Sequence, residues 1–318
     1  MLYKTLAKRF LWLIPQLFAL SILVFILSTF MPGDALTGLI NPDMSADDVY
    51  IMRASLGLNL PIHMQYTQWL QGILLSGDFG RSTTHMRPVT EIIGERAMNT
   101  LRLSIFTTFF IYFIAIPLGI IAAKYKNTII DKIIIFYTYL ALAMPTIVFA
   151  LINIFIFGFN LRLFPTSGSV SVDAQNILIN RLWHLILPGL TGAILSTVHI
   201  INLLRAEIII QKNCGYVVLA MAKGVPYSQI YTNHILKNAS LPIISGISFT
   251  TATLLTGSIF IERIFGYPGM GNLFITSILG RDFPVVIAIV LLYGTFTAIG
   301  TLLADIILMI IDPRVRID

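Results

Sequence analysis

Six apolar runs of about 20 residues or more dominate this chain and leave it few ways to fold. They lie at Phe10–Phe30, Leu101–Ala123, Ile133–Phe159, Leu185–Leu204, Leu241–Ile261 and Val285–Ile311. Each is long enough to cross a hydrocarbon layer about 30 Å thick as a helix. In lipid the backbone finds no water, so each run must satisfy its own amide and carbonyl groups, which a helix does. The expected fold class is all-α, a polytopic membrane protein with six transmembrane helices. Composition agrees: the 318 residues are 56% hydrophobic and 11% charged, where a soluble domain carries about 25% charge. Pro117 and Pro145 fall inside the second and third runs and are expected to kink them.

Lysine placement orients the expected bundle. With the N-terminus inside, Lys4, Lys8, Lys124, Lys126, Lys132, Lys212, Lys223 and Lys237 all fall on the cytoplasmic side. Arg314 and Arg316 place the C-terminus there too. The other arginines are divided between the two sides, so the lysines decide, as the positive-inside rule requires. Lys4, Lys8 and Arg9 before an apolar stretch resemble a signal peptide. That stretch is too long for one and has no clear small-residue cleavage site, so we read it as a retained first span.

This layout divides the chain into the N-terminus and first span (1–30), an extracytoplasmic segment (31–100), a transmembrane core (101–311) and a short cytoplasmic tail (312–318). The outer segment alternates polar and apolar residues, with turn signals at Pro32-Gly33-Asp34, Asn41-Pro42 and Gly77-Asp78. Short helices are expected there at Ala46–Leu56 and Ile62–Leu75. Further outer loops are expected at Asn160–His184 and Glu262–Pro284.

The chemistry a chain of this kind can perform is bounded by what its sequence lacks. It has no G-x-x-x-x-G-K-[ST] phosphate loop, no H-E-x-x-H and no G-x-S-x-G. The five histidines are scattered without ligand spacing, and the single cysteine, Cys214, excludes an internal disulfide and a cysteine-cluster metal site. The net charge of +6 is spread along the chain, which argues against nucleic acid and for membrane topology. Intramembrane charge is sparse. Asp305 is the clearest case, and Arg205 with Glu207 reads as a snorkelling pair at the inner end of the fourth span.

One polar interruption stands out, Tyr216 to Pro242. Tyr216–Lys223 has helical composition with small residues at Ala220 and Ala222, and Gly224 suits a helix C′ position. Val225-Pro226 turns the chain, Ser228 is placed to cap a second short helix through Leu236, and Pro242 restarts an apolar helix. By itself this pattern fits three things equally: a compact docking knob, an amphipathic helix on the membrane surface, or a plain linker.

The same residues resemble the permease subunits of binding-protein-dependent ABC importers, in the peptide/nickel branch. Tyr216, Ala220, Ala222, Lys223, Gly224, His234, Asn238 and Pro242 match that branch's cytoplasmic signature. The likeness runs through Pro32-Gly33-Asp34, Leu56-Gly57-Leu58, Pro61, Gln65-Tyr66, Trp69 and Gly77-Asp78-Phe79-Gly80-Arg81-Ser82. It continues through Pro165-Thr166-Ser167-Gly168, Leu187-Pro188 opening the fourth span, Glu262, Phe265, Pro268-Gly269-Met270-Gly271, Arg281-Asp282-Phe283-Pro284 and Asp312-Pro313-Arg314. Within the branch it resembles the first of the two permeases of oligopeptide and dipeptide systems. Val218 and Met221 stand where the branch usually has polar or basic residues, and Gly215 where an acidic one is common.

The resemblance implies a type I ABC importer permease fold in the cell membrane, with both termini cytoplasmic. It implies a heterodimer with a second, homologous permease, two ATPase subunits on the inner face, and an extracytoplasmic substrate-binding protein. It implies that this chain is not an enzyme and binds no cofactor, ATP and Mg lying on the ATPases. The coupling segment is 212–240, with Tyr216, Leu219, Ala220, Ala222, Lys223 and Gly224 as ATPase-coupling residues. Glu262, Arg263 and Tyr267 are candidates for the pathway or outer gate, and Trp69, Phe79 and Tyr267 for bracing the binding protein. Oligopeptides or dipeptides are the implied cargo, with nickel or a metal chelate as the alternative. From other classes, an ion-coupled secondary transporter and a membrane scaffold remain as readings.

Overall fold

The computed structural model describes residues 2–30, 45–55, 59–171, 176–244 and 259–311, with 246, 247 and 250. Its elements are helices α1 (Leu2–Phe30), α2 (Ala46–Ser55), α3 (Ile62–Gln71), α4 (Val89–Lys124), α5 (Ile129–Ala143), α6 (Thr146–Asn153), α7 (Ile177–Lys212), α8 (Gly215–Ala222), α9 (Tyr227–Ile230), α10 (Lys237–Ala239), α11 (Ile259–Ile264), α12 (Met270–Leu279) and α13 (Phe283–Ile311). Wider π-helical turns follow α3, α6 and α9. No strand occurs among the described residues; Arg81 and Pro88 form an isolated antiparallel bridge.

The two longest helices carry the bundle. α4 and α7 are 36 residues each, about 54 Å at 1.5 Å per residue, so both project beyond a bilayer. They lie side by side and parallel. Phe106 faces Gly189, Thr107 faces Gly192, and Gly119 faces Leu204. A Cβ on Gly189 would sit 2.4 Å from the Phe106 ring. Without a hydrophobic drive between helices in lipid, backbones approach through such small residues and gain by van der Waals contact. α1 runs antiparallel to α13, with Leu20 against Gly294. A cleft of about 710 Å³ opens between them, and Trp12, Gln16, Thr301 and Asp305 are among its lining residues.

Several expected boundaries move. α4 begins at Val89, not Leu101, and α7 at Ile177, not Leu185. Pro188 therefore lies inside α7, not at its start, and α4 continues through Pro117. The outer starts of both helices are polar enough to escape a hydropathy reading, yet Asn176 caps α7 by accepting the amides of Leu178 and Ile179. The third run is not one straight span. It breaks at Met144-Pro145 into α5 and α6 with a 103° bend. Proline removes an amide and drives the preceding residue out of the helical region, and Met144 has φ −82° and ψ 117°.

Among the described residues three helices are long and apolar enough to cross a membrane, and a fourth crossing is formed if the bent pair is one span. α1 holds a shorter apolar stretch, Leu11–Leu27. Most of the expected fifth run lies outside the described residues. So do Pro32-Gly33-Asp34, Asn41-Pro42, Leu56-Gly57-Leu58 and the tail with Asp312-Pro313-Arg314, Arg314 and Arg316.

Lys124, Lys126, Lys132, Lys212, Lys223 and Lys237 share one end of the bundle. Lys212, closing α7, donates to the Ala123 carbonyl at the end of α4 at 2.8 Å, which joins the α4–α5 connection (Lys124 and Lys126, with Lys132 in the first turn of α5) to the α7–α8 turn. Beside it Arg205 grips Asp131 through two hydrogen bonds of 2.7 and 2.8 Å. Asp131 is 2% exposed, so α5 is clamped to α7 by a buried carboxylate. Arg205 thus pairs across helices with Asp131 and not along its own helix with Glu207. The sequence pattern favoured the neighbour because i, i+2 proximity is visible in a sequence and a contact 74 residues away is not.

Candidate functional site

At the lysine-bearing end, the chain leaves α7 and folds back as α8 and α9. α8 closes as a Schellman motif: the Val225 amide donates to Ala220 O at 3.2 Å and the Gly224 amide to Met221 O at 2.9 Å. The motif requires a left-handed residue at Gly224, whose φ is +79°. The expected glycine stop is therefore present. The expected Ser228 cap is not. Pro226 occupies the cap position with φ −56° and ψ 136°, and Ser228 is the second residue of the first turn, its carbonyl accepting from Thr232. Proline's fixed φ suits that position, and the Pro226 carbonyl accepts the amides of Gln229 at 2.9 Å and Ile230 at 3.1 Å.

α8 has two faces. Val217 is 1% exposed and packs, with Ile230, Ile235 and Ala239, into the apolar cluster formed by α4, α5 and α7. Ala220, Tyr216 and Val225 are partly buried against it. Tyr216 donates to Gln211 at 2.8 Å and lies near His234. The opposite face carries Val218 (59% exposed), Leu219 (57%) and Met221 (48%), with Ala222, Lys223 and Gly224 also exposed. Of the predicted coupling residues, Tyr216 and Ala220 turn toward the bundle, whereas Leu219, Ala222, Lys223 and Gly224 turn outward. Val217, the anchor, escaped the sequence reading because it is one of several apolar residues in a row.

The other end is stitched by two buried carboxylates. Glu262 is 0% exposed. Its Oε2 accepts the amides of Gly271 (2.7 Å) and Asn272 (3.1 Å), and its Oε1 accepts the Thr100 hydroxyl (2.7 Å). The same hydroxyl accepts the Met270 amide at 2.7 Å. Three orphan amides at the start of α12 are thus capped by residues of α4 and α11, because Gly269 at the cap position has no side chain to do it. The fit is tight: a Cβ on Gly269 would lie 2.3 Å from Glu262 Oε2, and one on Gly271 2.6 Å from the Ile259 Cα. Gly271→Ala is expected to push α11 from α12 and cost on the order of 1–3 kcal/mol, read as a lowered melting temperature of the solubilised protein.

Asp282, also 0% exposed, receives the Ser82 hydroxyl and the amides of Thr83 (3.1 Å) and Thr84 (3.4 Å). This joins the Gly77–Ser82 motif to the Arg281–Pro284 motif across some 200 residues. Gly168 donates to the Phe265 carbonyl at 3.2 Å, so Pro165–Gly168 is also tied into this layer.

The gate candidates are placed differently from one another. Glu262 turns inward with both oxygens engaged. Tyr267 is 2% exposed and donates to Asn99 O at 3.3 Å; burial, and secondly the Glu262 carboxylate, push its hydroxyl up to about 12. Arg263 is exposed and reaches Asn272 at 3.3 Å. Trp69 packs on Phe25 and Tyr66 at ring separations of 5.4 and 6.0 Å, and Phe79 on the cluster around Val89 and Val285. Tyr267 is thus interior, whereas Trp69 and Phe79 are half-buried against these partners. Among the described residues no group of His, Cys, Asp and Glu could hold a metal ion.

Comparison with known proteins bears on both ends. Residues 115–317 match the family described as binding-protein-dependent transport system inner membrane component, and residues 1–104 match its N-terminal counterpart. The chain is 35% identical over 310 residues to the oligopeptide transport system permease protein AppB of Bacillus subtilis, covering 97% of this chain and 98% of that one. It is 31% identical over 315 residues to the dipeptide transport system permease protein DppB of Lactococcus lactis, covering 99% of each. It is 32% identical over 310 residues to the glutathione transport system permease protein GsiC of Salmonella typhimurium, covering 97% of each. The inward-facing MetNI methionine ABC transporter shares the fold, with a TM-score of 0.56 at 14% identity over 70% of this chain and 96% of that one. Those matches, spanning both the lysine-bearing end with α8 and the carboxylate-stitched end, place the chain in the family of binding-protein-dependent transport system inner membrane components.

Proposed function

We propose that this permease imports oligopeptides or dipeptides, driven by ATPase subunits that dock on α8. Support for the cargo comes from the relatives, whose names specify oligopeptide, dipeptide and glutathione transport. The observation that carries the docking site is the two-faced α8. One side is anchored in the bundle through Val217, and the other presents Val218, Leu219 and Met221 to solvent. Three large apolar side chains held outward on a short helix closed by a Schellman turn form a plug for an apolar groove.

In this reading the chain has six spans, and the lysine-rich end with both termini is cytoplasmic. It pairs with a second permease, two ATPases bind ATP and Mg, and an external protein delivers cargo to the opposite end. Closure of the ATPases pushes α8, and the spans rock as rigid bodies between two states. Glu262 acts as a helix cap and not as a charge meeting peptide termini. Arg263, exposed beside Asn272, is the remaining gate candidate.

Reconstitution with candidate ATPases, a second permease and a binding protein is expected to give ATP-dependent peptide uptake. Uptake driven by an ion gradient without ATPases overturns the reading, and uptake of nickel with no peptide overturns the cargo. Gly224→Asp is expected to abolish co-purification of the ATPases while the permease remains folded. No atom lies within 4 Å of a Cβ built there, so the new carboxylate meets only the incoming partner, and the left-handed backbone costs about 1 kcal/mol. Normal co-purification and transport by this variant would refute docking at α8.

A further inference from the structure

We propose that Lys212 is the positioning residue that carries displacement of the docking segment into α4. Its ammonium touches three elements at once. It belongs to the last residue of α7. It donates to the Ala123 carbonyl in the last turn of α4 at 2.8 Å. It also lies 5.4 Å from the centre of the Tyr231 ring, in the π-helical turn after α9.

Each contact has a physical reason. Ala123 O is one of the four carbonyls that a helix end leaves without an intrahelical partner. The amide that would have reached it, that of Asn127, donates instead to Asp131 at 2.8 Å. A cation there also meets the negative end of the α4 dipole. The Tyr231 face offers its quadrupole to the same charge. Tyr231 is in turn packed into the inner apolar cluster with Ile230 and Ile235, and its ring lies 6.2 Å from that of Tyr227. Its buried hydroxyl has no hydrogen-bond partner, so the ring and not the hydroxyl supplies its contact with Lys212.

Along the chain, the segment joins the bundle at the α7–α8 turn, which reaches α7, and past α10 at the helical residues 241–244. α4 takes no part in that turn. Lys212 is the polar link by which a push on the segment reaches α4 as well, so α4 and α7 move as one unit. Among the described residues, the segment packs on α4 through the inner apolar cluster, where contacts can slide, whereas a hydrogen bond to an orphan carbonyl holds one register.

This inference rests on the proposed docking of ATPases at α8, and its test is arranged to separate the two. The complete reconstituted transporter is measured for ATP hydrolysis and for peptide uptake, and the readout is uptake per ATP. Wild type must show ATP-dependent uptake that Gly224→Asp abolishes; failure of that control is failure of the docking reading, independent of Lys212. Lys212→Met keeps the length of the stem and removes the charge and the donor. It is expected to assemble and hydrolyse ATP near the wild-type rate while uptake per ATP falls about fivefold, a typical loss of coupling between two sites. Lys212→Arg restores charge and donor and is expected to recover most of the ratio. Tyr231→Leu removes the ring face without touching the α4 carbonyl and is expected to lower the ratio as well, non-additively with Lys212→Met. An unchanged ratio in Lys212→Met overturns the proposal. So does an equal fall in hydrolysis and uptake with loss of assembly, which would make Lys212 a structural cap of α4 only. A normal ratio in Tyr231→Leu removes the segment from the linkage and overturns it too.

Discussion

Glu262→Ala is expected to be the most damaging single substitution in the outer layer, costing on the order of 4 kcal/mol. The carboxylate accepts two amides and a hydroxyl at 2.7 to 3.1 Å in a site with no exposure. Alanine leaves the Gly271 and Asn272 amides without their acceptor at the positive end of α12, and the loss of a charge-assisted bond exceeds that of a neutral one. Glu262→Gln should recover most of the loss. Its carbonyl oxygen still faces the two amides, and its amide group donates toward Thr100. The measurement is thermal unfolding of the solubilised protein for wild type, Glu262→Ala and Glu262→Gln. A wild-type melting temperature for Glu262→Ala would show that the cap is not holding the layer. A glutamine variant that folds normally but loses uptake of charged peptides alone would return Glu262 to the pathway.

Arg205→Ala is expected to destabilise the lysine-bearing end by about 3–5 kcal/mol, the usual cost of stripping the partner from a buried charge. Asp131 would keep only the Asn127 amide among the hydrogen bonds described for its carboxylate. Arg205→Lys should rescue incompletely, because a point charge cannot match both carboxylate oxygens as the guanidinium fork does. The double variant Asp131→Asn with Arg205→Ala should be more stable than Arg205→Ala alone, since no unpaired carboxylate then remains. A double-mutant cycle of melting free energies reads this coupling directly. Additive single effects would show that the two residues do not act as a pair.

Both predictions concern charged residues whose sequence neighbours suggested other roles. Glu262 followed by Arg263 after an apolar run looks like charge at a pathway mouth. The fold turns the two in opposite directions, Glu262 inward under α12 and Arg263 outward. Arg205 and Glu207 look like a snorkelling pair, yet the partner of Arg205 is on another helix. Of the aromatic residues in the outer loops, Tyr267, a candidate for surface contact, is buried, whereas Trp69 is half-buried against Phe25 and Tyr66 and keeps part of its ring accessible.

Local signals were read well where the physics is local. Gly224 needed only its place after a small-residue helix to be identified as a left-handed stop, because the Schellman motif involves six consecutive residues. The helices at Ala46 and Ile62 were also legible. Ser228 was misplaced as a cap because the preceding proline already met the helix-start geometry. Pro145 predicts a kink in the third apolar run, and the structure bends it there by 103°, while Pro117 and Pro188 stay within helices. Identical residues behave differently because neighbouring helices support the backbone at some sites and not at others.

What the amino-acid sequence determined by itself was the all-helical class, the sequestration of apolar runs in lipid, the separation of lysines to one end, and the glycine that stops the short helix after the fourth run. These follow from solvation and short-range backbone geometry, each a property of consecutive residues. Tertiary structure alone decided that Val217 anchors α8 while Val218, Leu219 and Met221 face outward, that Asp131 meets Arg205, that Glu262 caps α12, and that Lys212 bridges α7, α4 and Tyr231. Those contacts join positions 9 to 162 residues apart. They form only when helices of specified length and crossing bring them together, and no periodicity in one segment encodes where another segment will lie.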